Sequence, residues 1–351
     1  MKNQDLILSA VKAIKDCLSD VSFIKMLRSG PSQNDSGPDY VFHLETPFGR
    51  KKIYAQISAN GQPRFARIFI DKVSLVSRDS KIYWIFVAPF ISQKAGEMLR
   101  ISGIGFVDLA GNCFISFEGL HIQKEGKKNP YLTRRQFNSL FKARASRVLR
   151  VLLSNPNRYW RIAPLAKEAQ VSVGHVFNVK EELLNREWAV VDNRGMKLCG
   201  PENLLQEWCN NYQFENHQRF SFYSLLRMSQ LEKSLDQVCR DLKVRYALSA
   251  FAGAARLAPF ARYHRVHCYL ENKVDELAKR LDLKSVTSGE NIILINPSDD
   301  GVFYDMQHIE GVQVVSPIQL YIDLRVSSDR GKEAADFMYK EVIEPKWKQL
   351  K

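Results

Sequence analysis

The sequence has no closely spaced cysteines, no long apolar run, no internal repeat and no low-complexity tract. Its six cysteines (Cys17, Cys113, Cys199, Cys209, Cys239 and Cys268) are scattered. Neither a zinc ribbon nor a disulfide scaffold is therefore expected, and the thiols fit a reducing compartment. His264 and His267 stand close together, yet no cysteine or carboxylate motif accompanies them. No metal and no cofactor is expected. No stretch approaches the roughly 18 apolar residues of a membrane span. The start, MKNQDLILSAVKAIKD, carries charges where a signal peptide has an apolar block. A cytoplasmic protein with no membrane partner is the expectation.

What is present begins with size and charge. A chain of 351 residues implies two or three domains. With 45% hydrophobic and 25% charged residues it can build packed cores. The net charge of +13 suggests a polyanionic partner, without choosing among DNA, RNA and an acidic protein. The charge is concentrated between His121 and Arg150. That stretch holds Lys124, Lys127, Lys128, Arg134, Arg135, Lys142, Arg144, Arg147 and Arg150 against Glu125 alone. It reads either as a solvated linker face or, placed before a helix-turn-helix pattern, as a phosphate-contacting stripe.

Patterning divides the chain into three α/β (α+β) units, at 1–125, 126–200 and 201–351. In the first, apolar spacing predicts an amphipathic helix over residues 1–28, and SGPSQNDSGP reads as a loop. Two strands around Pro47–Gly49 follow, then helix RFARIFIDKVSLV, strand KIYWIFVAP, helix SQKAGEMLRISG and strands IGFVDLAG and CFISFEG. The second unit runs from SRVLRVLLSNP through extended RYWRI to PLAKEAQ, a helix with proline at its first position. A third helix has Ser172 as N-cap and Val176, Val179 and Leu183 facing the core. The hairpin WAVV-DNRG-MKLC completes a winged helix-turn-helix pattern. The third unit opens with helix PENLLQEWCNNYQF. It goes on to strands YALSAF, RVHCYL and NIILINP and helices ENKVDELAKRLDL and RGKEAADFMYKEVIEPKW.

Two catalytic layouts can be compared with these units. The first unit has the arrangement of a restriction-endonuclease-like mixed sheet, with Asp39 where a metal-binding aspartate belongs. Gln56 and Ser58, however, stand in place of the glutamate and lysine. A neutral amide is a poor ligand for a hard cation, and water activation lacks its lysine; Asp39 then reads as a turn or cap residue. The third unit resembles a nucleotidyltransferase-like α/β unit, in which Gly253 marks the turn. Ala254 replaces the serine and no Asp-x-Asp follows, and Asp299–Asp300 reads as a solvated turn. No enzyme activity is expected of either unit.

A winged helix inserts its third helix into the major groove and lays its wing on the backbone. The outward positions would be Val173, His175, Asn178 and Glu181. Asn178 has the geometry for bidentate bonds to adenine, and His175 for a base or a phosphate. Lys180, Arg186, Arg194, Arg158 and Arg161, with Lys127 and Lys128, are candidates for phosphates. Phe177 reads either as core or as a thymine-methyl contact.

The phrase VAPFISQKAGEMLRISGIGFVDLAGN, followed by the winged helix, resembles the AbiEi-type antitoxin and transcriptional-regulator family of type IV toxin–antitoxin systems. So does VVSPIQLYIDL followed by RGKEAADF. The resemblance implies a regulator that binds double-stranded promoter DNA and represses its own operon. It also implies a cognate nucleotidyltransferase-type toxin that it counteracts without a stable complex. Within the winged helix it implies DNA-facing roles for Ser172, His175 and Asn178. The flanking units are left as DNA clamp, homodimer surface or effector sensor. The alternatives are a metal-dependent nuclease of the restriction-endonuclease fold and a protein-interaction scaffold that binds no DNA.

Overall fold

The run IYWIFVA is apolar at nearly every position, as in a strand covered on both faces. In the computed structural model, which describes residues 3–32, 37–76, 79, 81–130, 140–327 and 330–349, it lies at the middle of a sheet. The chain divides into two units, Met1–Gln136 with Leu184–Glu187, and Phe137–Leu183 with Trp188–Lys351. The architecture is mixed α/β.

The first unit contains α1 (Asn3–Ser19), β1 (Lys25–Pro31), β2 (Tyr40–Thr46), β3 (Gly49–Ile57), α2 (Pro63–Ser74), β4 (Ile82–Ala88), α3 (Gln93–Ile101), β5 (Gly105–Asp108), β6 (Cys113–Phe117) and β7 (Leu120–Lys124). The seven strands lie side by side in chain order. The two parallel pairs, β3–β4 and β4–β5, are joined through α2 and α3. Successive residues of β4 serve opposite cores: Ile85 and Val87 pack with Ala10 and Ile14 of α1, and Phe86 and Ala88 with Phe69 of α2 and Leu99 of α3.

Two expectations fail at the start of the chain. The helix ends at Ser19, and Lys25–Pro31 is a strand, including part of the expected loop. β1 is the sheet's edge, pairing only with β2 (Gly30 with Val41, Pro31 with Tyr40). A proline at the end of an edge strand withholds no ladder hydrogen bond. Residues 33–36 of the expected loop lie outside the described residues.

The second unit begins with α4 (Ala143–Ser154), α5 (Ile162–Glu168), α6 (Val173–Asn185) and the hairpin β8 (Ala189–Asp192) and β9 (Gly195–Leu198), followed by α7 (Pro201–Asn211). Its sheet contains β10 (Gln218–Tyr223), β11 (Tyr246–Ser249), β12 (Val266–Leu270), β13 (Lys284–Ser285), β14 (Ile292–Asn296), β15 (Gln307–Ile309) and β16 (Val312–Val314). The spatial order is β13-β10-β14-β12-β11-β16-β15, with β12–β14 and β11–β16 parallel. The helices between and after these strands are α8 (Met228–Leu242), α9 (Ala250–Ala254), α10 (Val274–Arg280), α11 (Pro317–Val326), α12 (Gly331–Met338) and α13 (Glu344–Gln349). Ser316 caps α11 by accepting the Gln319 N–H at 3.3 Å, and the helix is buried from Pro317 to Leu324.

Candidate nucleic-acid interface

α4 and α5 present α6. The second helix starts at Ile162, so Pro164 stands at its third position and not its first. The substitution of position is harmless, because the first four N–H groups of a helix have no intrahelical partner. α5 closes through Gln170 in the left-handed region (φ 53°) and the Val171 N–H on the Ala166 carbonyl at 3.0 Å. α6 then begins. Val176, Val179 and Leu183 are buried, as their spacing predicts. The opposite face shows Val173 (55% exposed) and Phe177 (51%), with Asn178 exposed beside them.

Ser172 does cap α6, but weakly: its Oγ accepts the His175 N–H at 3.4 Å and lies 2.7 Å from His175 Nδ1. The two side chains are thus held as a pair at the start of the helix. Lys180 places its ammonium 5.3 Å from the centre of the Phe177 ring and 3.9 Å from Glu181. Phe177 is therefore a surface residue.

The hairpin is fastened to the extended RYWRI piece. Trp160 and Met196 exchange backbone hydrogen bonds at 2.8 and 2.9 Å. Gly195 permits this approach, since a Cβ there would stand 2.5 Å from the Trp160 carbonyl oxygen. At the hairpin tip Arg194 bonds Asp192 at 2.6 Å and lies 3.7 Å over the Tyr159 ring. Arg194 also holds the Asp192 carboxyl below its usual range. Arg158 is exposed over the Trp160 ring, and Arg161 is exposed just before α5. Arg186, expected to reach a phosphate, is instead buried.

The basic run separates in the same way. Lys127, Lys128, Lys142 and Arg144 are exposed. Lys124 is paired with Asp20 at 2.5 Å, and Arg147 with Asp299 at 2.8 Å. Arg150 is buried under the Trp208 ring and donates to Gln319 Oε1 and Ser146 Oγ. Arg134 and Arg135 lie outside the described residues. A uniform solvent stripe is thus not what forms. Lys127 and Lys128 belong to the first unit, whereas Arg161, Ser172, His175, Asn178, Lys180 and Arg194 belong to the second.

The nuclease-like hairpin is closed by its own hydrogen bonds. Asp39 Oδ2 accepts Ile57 N–H at 2.6 Å and Gln56 Nε2 at 2.5 Å, and Gln56 Oε1 accepts Lys72 at 2.9 Å. Lys72 comes from α2, where strand spacing gives no hint of it. Ser58 turns to the Asn60 carbonyl. No cluster of three or more histidines, cysteines or carboxylates is found among the described residues.

In the second unit Gly253 lies inside α9 rather than at the turn. The left-handed turn residue is Ala250 (φ 48°). Asp299 and Asp300 are not a free solvated turn: Asp299 caps Gly301 and binds Arg147, and Asp300 binds Arg245.

No helix among the described residues is long and apolar enough to cross a membrane. No curated protein and no solved structure matches the chain. A family model does match residues 197–344, taking in the VVSPIQLYIDL phrase but neither α6 nor the VAPFISQKAGEMLRISGIGFVDLAGN phrase. That model describes the transcriptional regulator and AbiEi antitoxin of type IV toxin–antitoxin systems, the family that the sequence phrases resemble.

Proposed function

We propose that the protein binds duplex DNA through a winged helix-turn-helix formed by α4, α5, α6 and the β8–β9 hairpin. In this reading it represses its own operon and acts as the antitoxin of a type IV pair. One observation carries the DNA reading: α6 buries Val176, Val179 and Leu183 while its opening turns leave Val173, Phe177 and Asn178 open beside the Ser172–His175 pair. A helix anchored on one face and exposed at its N-terminal end is what insertion into a major groove requires.

The roles divide by chemistry. Asn178 supplies an amide for adenine N6 and N7, and Phe177 an apolar surface for a thymine methyl. Ser172, His175, Lys180 and Arg161 contact the groove edge and phosphates, and Lys127 and Lys128 add charge that is blind to sequence. Arg194 reaches phosphate only by leaving or sharing Asp192, so its contribution is smaller than its exposure suggests. The antitoxin role rests on the family match alone. The sequence resemblance adds a nucleotidyltransferase-type toxin, countered without a stable complex. The two sheet units are assigned no catalysis.

The test is fluorescence-anisotropy binding to the protein's own upstream DNA and to a scrambled duplex across a salt series. Asn178→Ala should cost about 1–3 kcal/mol of base preference at one position. Lys127→Ala with Lys128→Ala should weaken binding to both duplexes and flatten the salt slope. Equal behaviour of the two variants contradicts the division of roles, and absence of selective binding overturns the DNA reading.

The lysine beside Gln56 keeps one second reading, a metal-dependent nuclease. Mg²⁺- or Mn²⁺-dependent cleavage abolished by Asp39→Ala and by Lys72→Ala would establish it.

A further inference from the structure

The second unit holds a cavity of about 630 Å³ on one face of its sheet. Strand register builds its floor. Ser249 pairs with His267, His267 with Ile293, and Arg219 with Ile295, so these residues project from the same face of neighbouring strands. The turn into α9 adds Phe251, and the segment 261–265 and Arg330 form the other walls.

The lining combines two chemistries. One is cationic. Arg219 and Arg262 are exposed and have no ion-pair partner among the described residues. Arg265 is held by Glu290 at 3.0 Å, and Arg330 by Glu333 at 2.6 Å. Glu290 is thus neutralised, and the other lining carboxylate, Asp323, is saturated by Ser249, Tyr212, Tyr269 and Gln319. The second chemistry is flat and apolar. Ile293 and Ile295 pave the floor, and the rings of Phe214, Phe251 and Tyr263 stand around it. Tyr263 is fixed by its hydroxyl on Glu232 at 2.8 Å.

One group in the floor is left unsatisfied. His267 Nδ1 is shut off from solvent with no hydrogen-bond partner among the described residues. Burial, with Arg265 nearby, pushes the ring down to about 4, so it is neutral at physiological pH. A buried polar atom without a partner is costly, and only a group that supplies the missing hydrogen bond relieves it.

We propose that this cavity binds a nucleoside phosphate, with Arg219 and Arg262 on the phosphates and the ring of the base among the aromatic walls. An inorganic anion alone would leave the apolar floor unfilled, and an uncharged ring would leave the two arginines idle. The volume suits a ligand of this size, and guanidinium groups match phosphate oxygens in bidentate fashion. The site is independent of the DNA reading, since none of its residues lies on α6 or the hairpin.

The experiment is isothermal titration of the full chain with ATP and with GTP, beside adenosine, guanosine and inorganic phosphate. At least one nucleotide should bind at one site per chain, with its nucleoside and phosphate each weaker by about tenfold or more. Arg219→Ala combined with Arg262→Ala should lower nucleotide affinity about tenfold or more without changing the melting temperature. Arg280→Ala, an exposed arginine on α10, should bind as the unchanged protein does. Failure of both nucleotides to bind at millimolar concentration overturns the proposal. So does equal loss in the double variant and Arg280→Ala, or a nucleoside that binds as tightly as its phosphate ester.

Discussion

Asp323→Asn separates the cost of a buried charge from the value of its hydrogen bonds. Asp323 is 3% exposed at the centre of the second unit. Its Oδ1 accepts from Tyr212 and Tyr269 at 3.1 Å and Gln319 at 2.9 Å, and its Oδ2 from Ser249 at 2.5 Å. An amide of the same shape keeps the three bonds to Oδ1 and donates to the serine oxygen. What changes is charge. Burial pushes the carboxyl from 3.8 up to about 6, against the pull of those hydrogen bonds. A difference of that size is worth about 3 kcal/mol.

The sign follows from proton linkage. Between the unfolded and folded values the native state holds a proton that the unfolded chain has lost. The contribution is therefore full below about pH 4 and is lost as pH rises through 6. Nearby His217 and His267 are each lowered to about 4 by burial and work in the opposite direction, but they are common to both proteins. Tyr212 and Tyr269 are pushed far upward and stay protonated, and Arg150 reaches the carboxylate only through Gln319. Urea unfolding followed by tryptophan emission at steps from pH 4 to pH 7.5 gives the comparison, with Trp208 fully buried in the same unit. The stability of the unchanged protein minus that of Asp323→Asn should fall by about 3 kcal/mol across the range. Parallel profiles would refute the assignment of a strained, proton-seeking carboxylate.

Two further substitutions test the framework. Asp108→Ala removes the acceptor of the Ile91, Ala110 and Asn112 N–H groups and the Asn112 amide. Urea unfolding of the first unit should lose about 2–4 kcal/mol, with Asp108→Asn losing less. Gly253→Ala would place a Cβ 2.7 Å from Leu320 Cδ2 and 2.8 Å from the Leu248 carbonyl oxygen. It should destabilise the second unit by about 1–3 kcal/mol in the same assay, whereas no change would mean that α9 shifts freely away from α11.

What could be read from the sequence was decided by burial on two faces or on a clean helical stripe. β4 declares itself because both faces are covered, and α6 because Val176, Val179 and Leu183 recur on one side. β1 and β10 leave no two-residue period in the sequence because their exposure does not alternate, with Leu27 open beside Arg28, and Gln218 beside Arg219. α8 was legible in principle: Leu231, Leu235, Cys239 and Leu242 recur at helical spacing and are buried. The candidate sites divide in a similar way. Exposure of Asn178 follows from the helical wheel, but the Ser172–His175 bond depends on a rotamer. Lys72 reaches Gln56 from a helix, which strand-based motif spacing cannot encode. The arginines of the cavity come from distant segments brought together by strand register, so no local pattern marks them.

The charge run shows why a count of cations is not a map of a surface. Arg147, Arg150, Leu153 and Asn157 follow one another at three- or four-residue spacing along and just beyond α4, and each is engaged by the C-terminal part of the second unit. Arg147 binds Asp299 and Arg150 binds Gln319. The Leu153 carbonyl accepts the Trp347 Nε1–H at 2.9 Å, and Asn157 donates to the Trp347 carbonyl at 2.8 Å. A face that looks solvated in sequence is thus the seam holding α4 to the C-terminal part of the second unit. Trp347 is 5% exposed and is the distal anchor of that seam. Trp347→Ala should cost about 3–5 kcal/mol and should lower the melting temperature of α4 together with the sheet, as one transition followed by far-ultraviolet dichroism. A fragment of residues 140–200 would bare Arg150 and the Leu153 side of α4, and should melt without cooperativity. A fragment that unfolds sharply, with the helix content of the same residues in the full chain, would show instead that the helices fold without the seam.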